Sequence, residues 1–375
     1  MKRCLIVLML VSTFCLVAQS NFDSGMSDFE AYKNQQNVQE KNYYKWVSNF
    51  KSYQDEQFIQ YEKFLEEKWG EFKESSPKTW VGYTEDFNGR TSVDFDANKV
   101  VVEVVIEEDT PPEEIKKKLS ALTAKILEEK DETGTAILED QVANPSNPKV
   151  SITAKEVESI VQDLPLEEKK VGNKKVYSIS LNLVSNSDKK RIAKYAPFIS
   201  KYCKEAGIEP ALALAIIKTE SCFNPKAYNR TGNAYGMMQI VPKYAGLTMN
   251  KMLYNKNKKP GGRTLFNAEK NLRMGINFLG YLQNKSWKKV TNKTNKRYCV
   301  VSSYNGGNGA IYIALAGRTK KIGQKKWDKM MNLLNSDKNK KVYNLIHKKS
   351  WEETRHYIKV VEERYAQYLG YNSRM

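Results

Sequence analysis

At 375 residues the chain is long enough for two folded domains, each with its own core. Its 61 Lys and Arg against 43 Asp and Glu give a formal net charge of +18, which calls for an anionic partner: nucleic acid, anionic lipid or an acidic polymer. With only 2 His and no Cys/His ligand spacing, neither a metal site nor a cofactor is expected.

The first residues indicate the compartment. Lys2 and Arg3 precede an apolar run from Leu5 to Val17, then Ala18-Gln19-Ser20. This order of charged, apolar and small residues predicts a secretory signal peptide over residues 1–20, cleaved after Ser20. The run is short of the ~20 residues of a membrane span, so an uncleaved anchor is the weaker reading. Cys15 follows bulky Phe14 and lacks the small residues of a bacterial lipoprotein site, so no lipid anchor is expected. Secretion permits one disulfide among Cys203, Cys222 and Cys299, with Cys203–Cys222 the candidate and buried thiols the alternative.

Residues 21–185 are expected to form an α+β domain. Helical spacing of Tyr43, Trp46, Phe50, Phe58, Tyr61, Leu65 and Trp69 predicts a long helix from Phe29 to Phe72, closed by Gly70. Trp80, Val81 and Tyr83 then form a strand. Ser92–Phe95 and Val100–Ile106 flank a hairpin turn at Asp96–Lys99. Pro111-Pro112 opens a helix with Ile115, Leu119, Leu122 and Ile126 on one face. Lys130 to Lys149 reads as loop, Ala154 to Leu164 as helix, and Lys175 to Val184 as a strand returning to the same antiparallel sheet. Dense acids from Glu103 to Glu168 suit a solvated face.

Ser185–Asp188 marks a boundary, and residues 186–375 read as helices and loops. One helix carries Ile192, Tyr195, Ile199 and Cys203 on its inner face and stops at Gly207. The next starts at Pro210, is apolar from Ala211 to Ile217, and ends on Glu220 before Asn224-Pro225. A buried helix delivering one carboxylate is suited to holding a general acid. An irregular loop follows at Asn229–Asn233, and a Gly-rich basic loop at Lys256–Arg263. A helix carries Leu272, Ile276 and Leu279, another ends in a tight turn at Asn305-Gly306-Gly307, and the last runs from Trp351 to Leu369. From Ser221 to Trp327 the only acid is Glu269, so the basic surface belongs to the part that carries Glu220.

Four motifs stand in order: E-S-C-F-N-P at 220–225, Y-G-M-M-Q-I at 235–240, N-L-R-M-G-I-N-F-L at 271–279 and S-Y-N-G-G at 303–307. Together they resemble the catalytic domain of lytic transglycosylases, which have a goose-type lysozyme fold. E-T-R-H-Y-I at 353–358 is similar to that family's C-terminal helix. W-V-G-Y-T at 80–84 and R-T-S-V-D-F-D at 90–96 resemble the N-terminal domain of membrane-bound lytic murein transglycosylase C. The resemblance implies an α+β domain, a long helix plus a small antiparallel sheet, followed by an all-α lysozyme-like catalytic domain.

It also implies a periplasmic enzyme acting on peptidoglycan glycan strands, with other cell-wall enzymes as further partners and no nucleic acid. Glu220 would protonate the bond between N-acetylmuramic acid and N-acetylglucosamine. It would then take the proton from the muramoyl C6 hydroxyl, giving a 1,6-anhydro end. Gln239 and Met238 match positions lining the sugar groove, and Tyr304 matches the Tyr that reaches toward the acid. Asn305 sits in the turn that places Tyr304, and Tyr357 approaches the site or packs in the core. Asn229 stands where the family usually has Ser, a departure that touches sugar contacts and leaves the acid unaffected. Two carboxylates are usual for glycosidic cleavage, and the motifs supply one, with Glu352 or Glu353 as distant candidates for a second. A hydrolase of the goose-type lysozyme kind and a non-catalytic wall-binding protein are the alternative readings. A nucleic-acid binder is disfavoured by the leader and the lack of any reader motif.

Overall fold

The computed structural model describes residues 35, 56–106, 109–317 and 322–371. The signal-peptide reading and the first part of the aromatic helix lie outside these residues. The chain divides into two units, Met1–Phe72 and Lys73–Met375.

In the first unit, residues 56–69 are helical (α1), with Leu65 and Trp69 buried. Phe58 and Tyr61 set their rings edge-on against Phe72, 5.7 and 6.3 Å between centroids.

The second unit opens with five antiparallel strands: β1 (Thr79–Tyr83), β2 (Gly89–Asp94), β3 (Lys99–Ile106), β6 (Glu167–Val171) and β7 (Lys174–Asn182). Their order is β1-β2-β3-β7-β6. Central β3, K-V-V-V-E-V-V-I, is an apolar run buried on both faces, interrupted by Glu103. Glu103 is tolerated because Arg90 stands opposite it in register and grips it with Nε at 2.7 Å and Nη2 at 2.8 Å. At the β2–β3 turn, Asp94 Oδ1 accepts from the Asp96 and Ala97 amides, and Asn98 takes φ +54°. Helix α2 (Pro112–Glu128) lays Ile115, Leu119 and Ile126 on the sheet, and α3 (Val157–Asp163) packs on α2.

Two features depart from the local pattern. The stretch expected to be loop contains a small hairpin, β4 (Ala143–Asn144) with β5 (Asn147–Ser151), and sends Ile137, Leu138 and Val142 into the sheet's core. An adjacent pair, Ile137 and Leu138, and one further apolar residue, Val142, among polar ones carry no period to detect. Edge strand β6, E-E-K-K-V, is exposed along nearly its whole length and has no apolar face to announce it.

Among the described residues, the rest of the unit is helices and loops apart from a two-stranded ribbon, β8 (Tyr228–Asn229) with β9 (Ala234–Tyr235). Helix α4 (Ser187–Ala206) ends on Gly207 at φ +65°, as the sequence predicts. Helix α5 (Pro210–Ser221) is buried all round from Ala211 to Ile217 and lies against α4 and α12 (Glu352–Tyr368). Between them in sequence come α6 (Leu247–Tyr254), α7 (Gly262–Phe266), α8 (Ala268–Tyr281), α9 (Lys293–Ala316), α10 (Gln324–Leu334) and α11 (Asn339–Lys349). The Asn305-Gly306-Gly307 turn kinks α9 rather than ending it: Gly307 takes φ 64° and ψ 177°, and the helix resumes beyond it. Cys203, Cys222 and Cys299 are all buried free thiols, so the candidate disulfide is not formed.

Candidate active site

Glu220 is the penultimate residue of α5. Seven successive buried apolar residues leave this helix one polar end, and Glu220 occupies it. Tyr357 Oη on α12 donates to Glu220 Oε1 at 2.6 Å. The residue is half-buried, yet its carboxyl is dry enough that burial pushes its pKa from 4.5 up to about 7. The Tyr357 hydrogen bond pulls the other way, and the negative charge of Glu353 adds to the rise. A carboxyl with this pKa is divided between its acid and base forms near neutrality, as proton transfer in both directions requires.

Opposite α5 lies the segment after β9. Tyr304 does not bond the carboxyl. Its hydroxyl donates to the Met238 carbonyl at 2.7 Å, while burial and the Glu220 charge raise its pKa well above that of a free Tyr. Tyr304 is therefore within electrostatic reach of Glu220, and Tyr357 is the phenol that touches it. Met238 is buried. Gln239 takes φ +46° and donates from Nε2 to the Gly236 carbonyl at 3.0 Å. Its Oε1 is buried with no hydrogen-bond partner among the described residues. Asn229 spends its side chain locally, with Oδ1 accepting from the Gly232 amide at 2.8 Å in the β8–β9 turn. Asn305 links α9 to α12, donating to Glu353 Oε1 at 2.9 Å and accepting from Thr354 Oγ1 at 2.8 Å. That link fixes the helix from which Tyr357 projects.

Sequence reasoning assigned no role to the residues that hold these groups. Asn271 is fully buried and meets three backbone groups at 2.8 Å each: it accepts from the Met238 amide and donates to the Tyr235 and Leu265 carbonyls. Gly236, at φ +70°, leaves room for this clamp; a Cβ there would stand 2.3 Å from Asn271 Nδ2. A Cβ on Gly275 would likewise meet Met238 Sδ at 2.3 Å. Ser221, fully buried beside Glu220, donates to the Met237 carbonyl at 2.8 Å and ties the end of α5 to the same segment. A buried Asn in a first helical turn was the available signal; its partners lie up to 36 residues away and cannot be read from spacing. Among the described residues, no three His, Cys, Asp or Glu side chains gather as metal ligands would. No described helix is long and apolar enough to cross a membrane.

Comparison with known proteins places these features. A family model described as Transglycosylase SLT domain matches residues 197–327, and one described as Membrane-bound lytic murein transglycosylase C, N-terminal domain, matches residues 51–194. The membrane-bound lytic murein transglycosylase C of Pectobacterium atrosepticum is 30% identical over 271 residues, covering 67% of this chain and 74% of the relative. That of Serratia proteamaculans is 29% identical over 283 residues, covering 70% and 77%. Among solved structures, the 70 kDa soluble lytic transglycosylase of Escherichia coli is similar at 22% identity over 49% of this chain and 28% of that chain, with a TM-score of 0.33.

Proposed function

The chain belongs to the membrane-bound lytic murein transglycosylase C family, and we propose that it cleaves peptidoglycan strands non-hydrolytically with Glu220 as its acid and then its base. The observation that carries this reading is the Glu220 carboxyl: at the end of a buried helix, hydrogen-bonded by Tyr357, with a pKa of about 7. Protonated Glu220 gives its proton to the glycosidic oxygen between N-acetylmuramic acid and N-acetylglucosamine, and the C1–O bond breaks. The substrate's 2-acetamido oxygen stabilises the cation that develops at C1. Ionised Glu220 takes the proton from the muramoyl C6 hydroxyl, whose oxygen closes on C1 as a 1,6-anhydro ring. Glu220 is thereby reprotonated and no water is consumed.

The surroundings support an intramolecular nucleophile. Near the carboxyl, Glu353 makes itself felt through its charge, but it is exposed and holds Asn305. Its effect is to keep Glu220 protonated, which serves the acid step. Closure by the substrate's own hydroxyl has a high effective molarity and needs no positioned water. The unpartnered Gln239 Oε1 is an acceptor for a sugar hydroxyl or an acetamido N–H, next to Met238, whose carbonyl accepts from Tyr304; Asn305 and Asn229 are assigned to sugar contacts by the family resemblance. The anionic lactyl and peptide carboxylates of peptidoglycan complement the net charge of +18, and the substrate places the enzyme in the periplasm.

Digestion of purified sacculi, with product masses, tests the proposal. Wild type is expected to release muramoyl ends lighter by one water than hydrolysis products, and Glu220→Gln to release none. Reducing muramic ends would establish a lysozyme-like hydrolase instead. Unchanged digestion by Glu220→Gln would remove the assigned acid.

A further inference from the structure

The turn that follows Glu220 is divided between two hydrophobic cores. Cys222 is fully buried among sheet residues such as Val93 and Phe95, whereas the next residue, Phe223, is fully buried in the helical core. Both take left-handed backbone, φ +53° and +62°. Side chains that carry a Cβ resist this region by roughly 1–2 kcal/mol each, so the surroundings must hold the turn.

Much of that holding comes from the sheet. Cys222 Sγ donates to Asp96 Oδ1 at 3.3 Å, and Lys78 pairs with Asp96 Oδ2 at 2.9 Å. Burial pushes the Cys222 thiol up to about 11, so it remains a donor at neutral pH. Asn224, fully buried, donates from Nδ2 to the Pro77 carbonyl at 3.2 Å and accepts the Lys226 amide at 3.0 Å. Asp96 is itself set at the tip of the β2–β3 turn by Asp94.

We infer that the N-terminal sheet is a positioning part of the catalytic centre: Asp96 and the Pro77 carbonyl, through Cys222 and Asn224, fix the turn that aims Glu220. This rests on the reading of Glu220 as the acid. The sheet's own charged and apolar surfaces need bind nothing for this role. What matters is the geometry of two contacts, 126 and 147 residues apart in sequence, immediately beyond the reacting carboxyl.

The test compares full-length wild type, Cys222→Ala, Cys222→Ser, Asp96→Ala and Asn224→Ala on soluble glycan fragments. For each, kcat, KM, the pH dependence of kcat and Tm are measured. Cys222→Ala and Asp96→Ala are expected to lower kcat on the order of tenfold with KM within about twofold, since misplacement of a reacting group acts on the chemical step. A loosened turn admits water, so the alkaline limb of kcat should move to lower pH. Cys222→Ser keeps a donor for Asp96 and should restore both. If Asp96→Ala fails to fold, the Cys222 pair decides by itself. The inference is overturned if Cys222→Ala and Asn224→Ala lower Tm while leaving kcat and its alkaline limb where they were. That result would leave Glu220 as the acid, because Glu220→Gln in the same assay reports on that reading separately.

Discussion

A carboxyl held at a pKa near 7 destabilises the folded protein at alkaline pH, and Glu220→Gln should relieve it. The folded value is about 7 against an ordinary 4.5. Between these values the folded chain holds a proton that the unfolded chain has released. Stability contributed by this site is therefore complete below about pH 4.5 and declines as pH rises toward about 7. The shift of about 2.5 units corresponds to about 3 kcal/mol at pH 8.5, and to less than about 1 kcal/mol at pH 5. Gln keeps the size of the side chain and an oxygen for the Tyr357 hydroxyl, so the main change is removal of the charge. Urea unfolding of both proteins at pH 5 and 8.5 measures the difference, and titrations elsewhere in the molecule cancel between them. Glu220→Gln should gain on wild type by about 3 kcal/mol at the higher pH and be nearly level with it at the lower. An equal difference at both values would mean that Glu220 does not titrate near neutrality, and the acid–base assignment would lose its physical basis.

Tyr357→Phe removes the hydrogen bond that lowers the Glu220 pKa, so the alkaline limb of the pH–rate profile should move upward. A limb that stays in place would show that the bond is not made in the working enzyme. Asn271→Ala strands the Met238 amide and two carbonyls in the interior, at about 1–3 kcal/mol each, and should lower unfolding free energy by at least about 3 kcal/mol. Gln239→Ala deletes a buried oxygen that has no partner among the described residues and one bond, from Nε2 to the Gly236 carbonyl, so stability should fall by no more than about 1 kcal/mol while KM for glycan fragments rises about tenfold, the equivalent of one hydrogen bond. A large fall in Tm with KM unchanged would make Gln239 a structural residue.

Local patterns determined much of this protein. An alternating β7, an apolar helix entered at Pro210 and ended on an acid, and Gly207 at a helix stop all express short-range rules of periodicity and capping. The solitary acid among the motifs was legible as well, because it is a matter of composition. Where local chemistry gave no period, the reading failed: β6 has no apolar face, and Gly307 punctuates a helix without ending it. Only the tertiary structure decided how the site is held. It chose Tyr357 over Tyr304 as the phenol on Glu220, across 137 residues, because α5 lies against α12. It turned Asn271 from a helix residue into a clamp on Met238. It placed Cys222 in the core of the sheet, two residues after an acid that belongs to the helices. Spacing records what a residue meets one turn or one strand away, whereas the pKa of Glu220 is set by groups brought to it from distant parts of the chain.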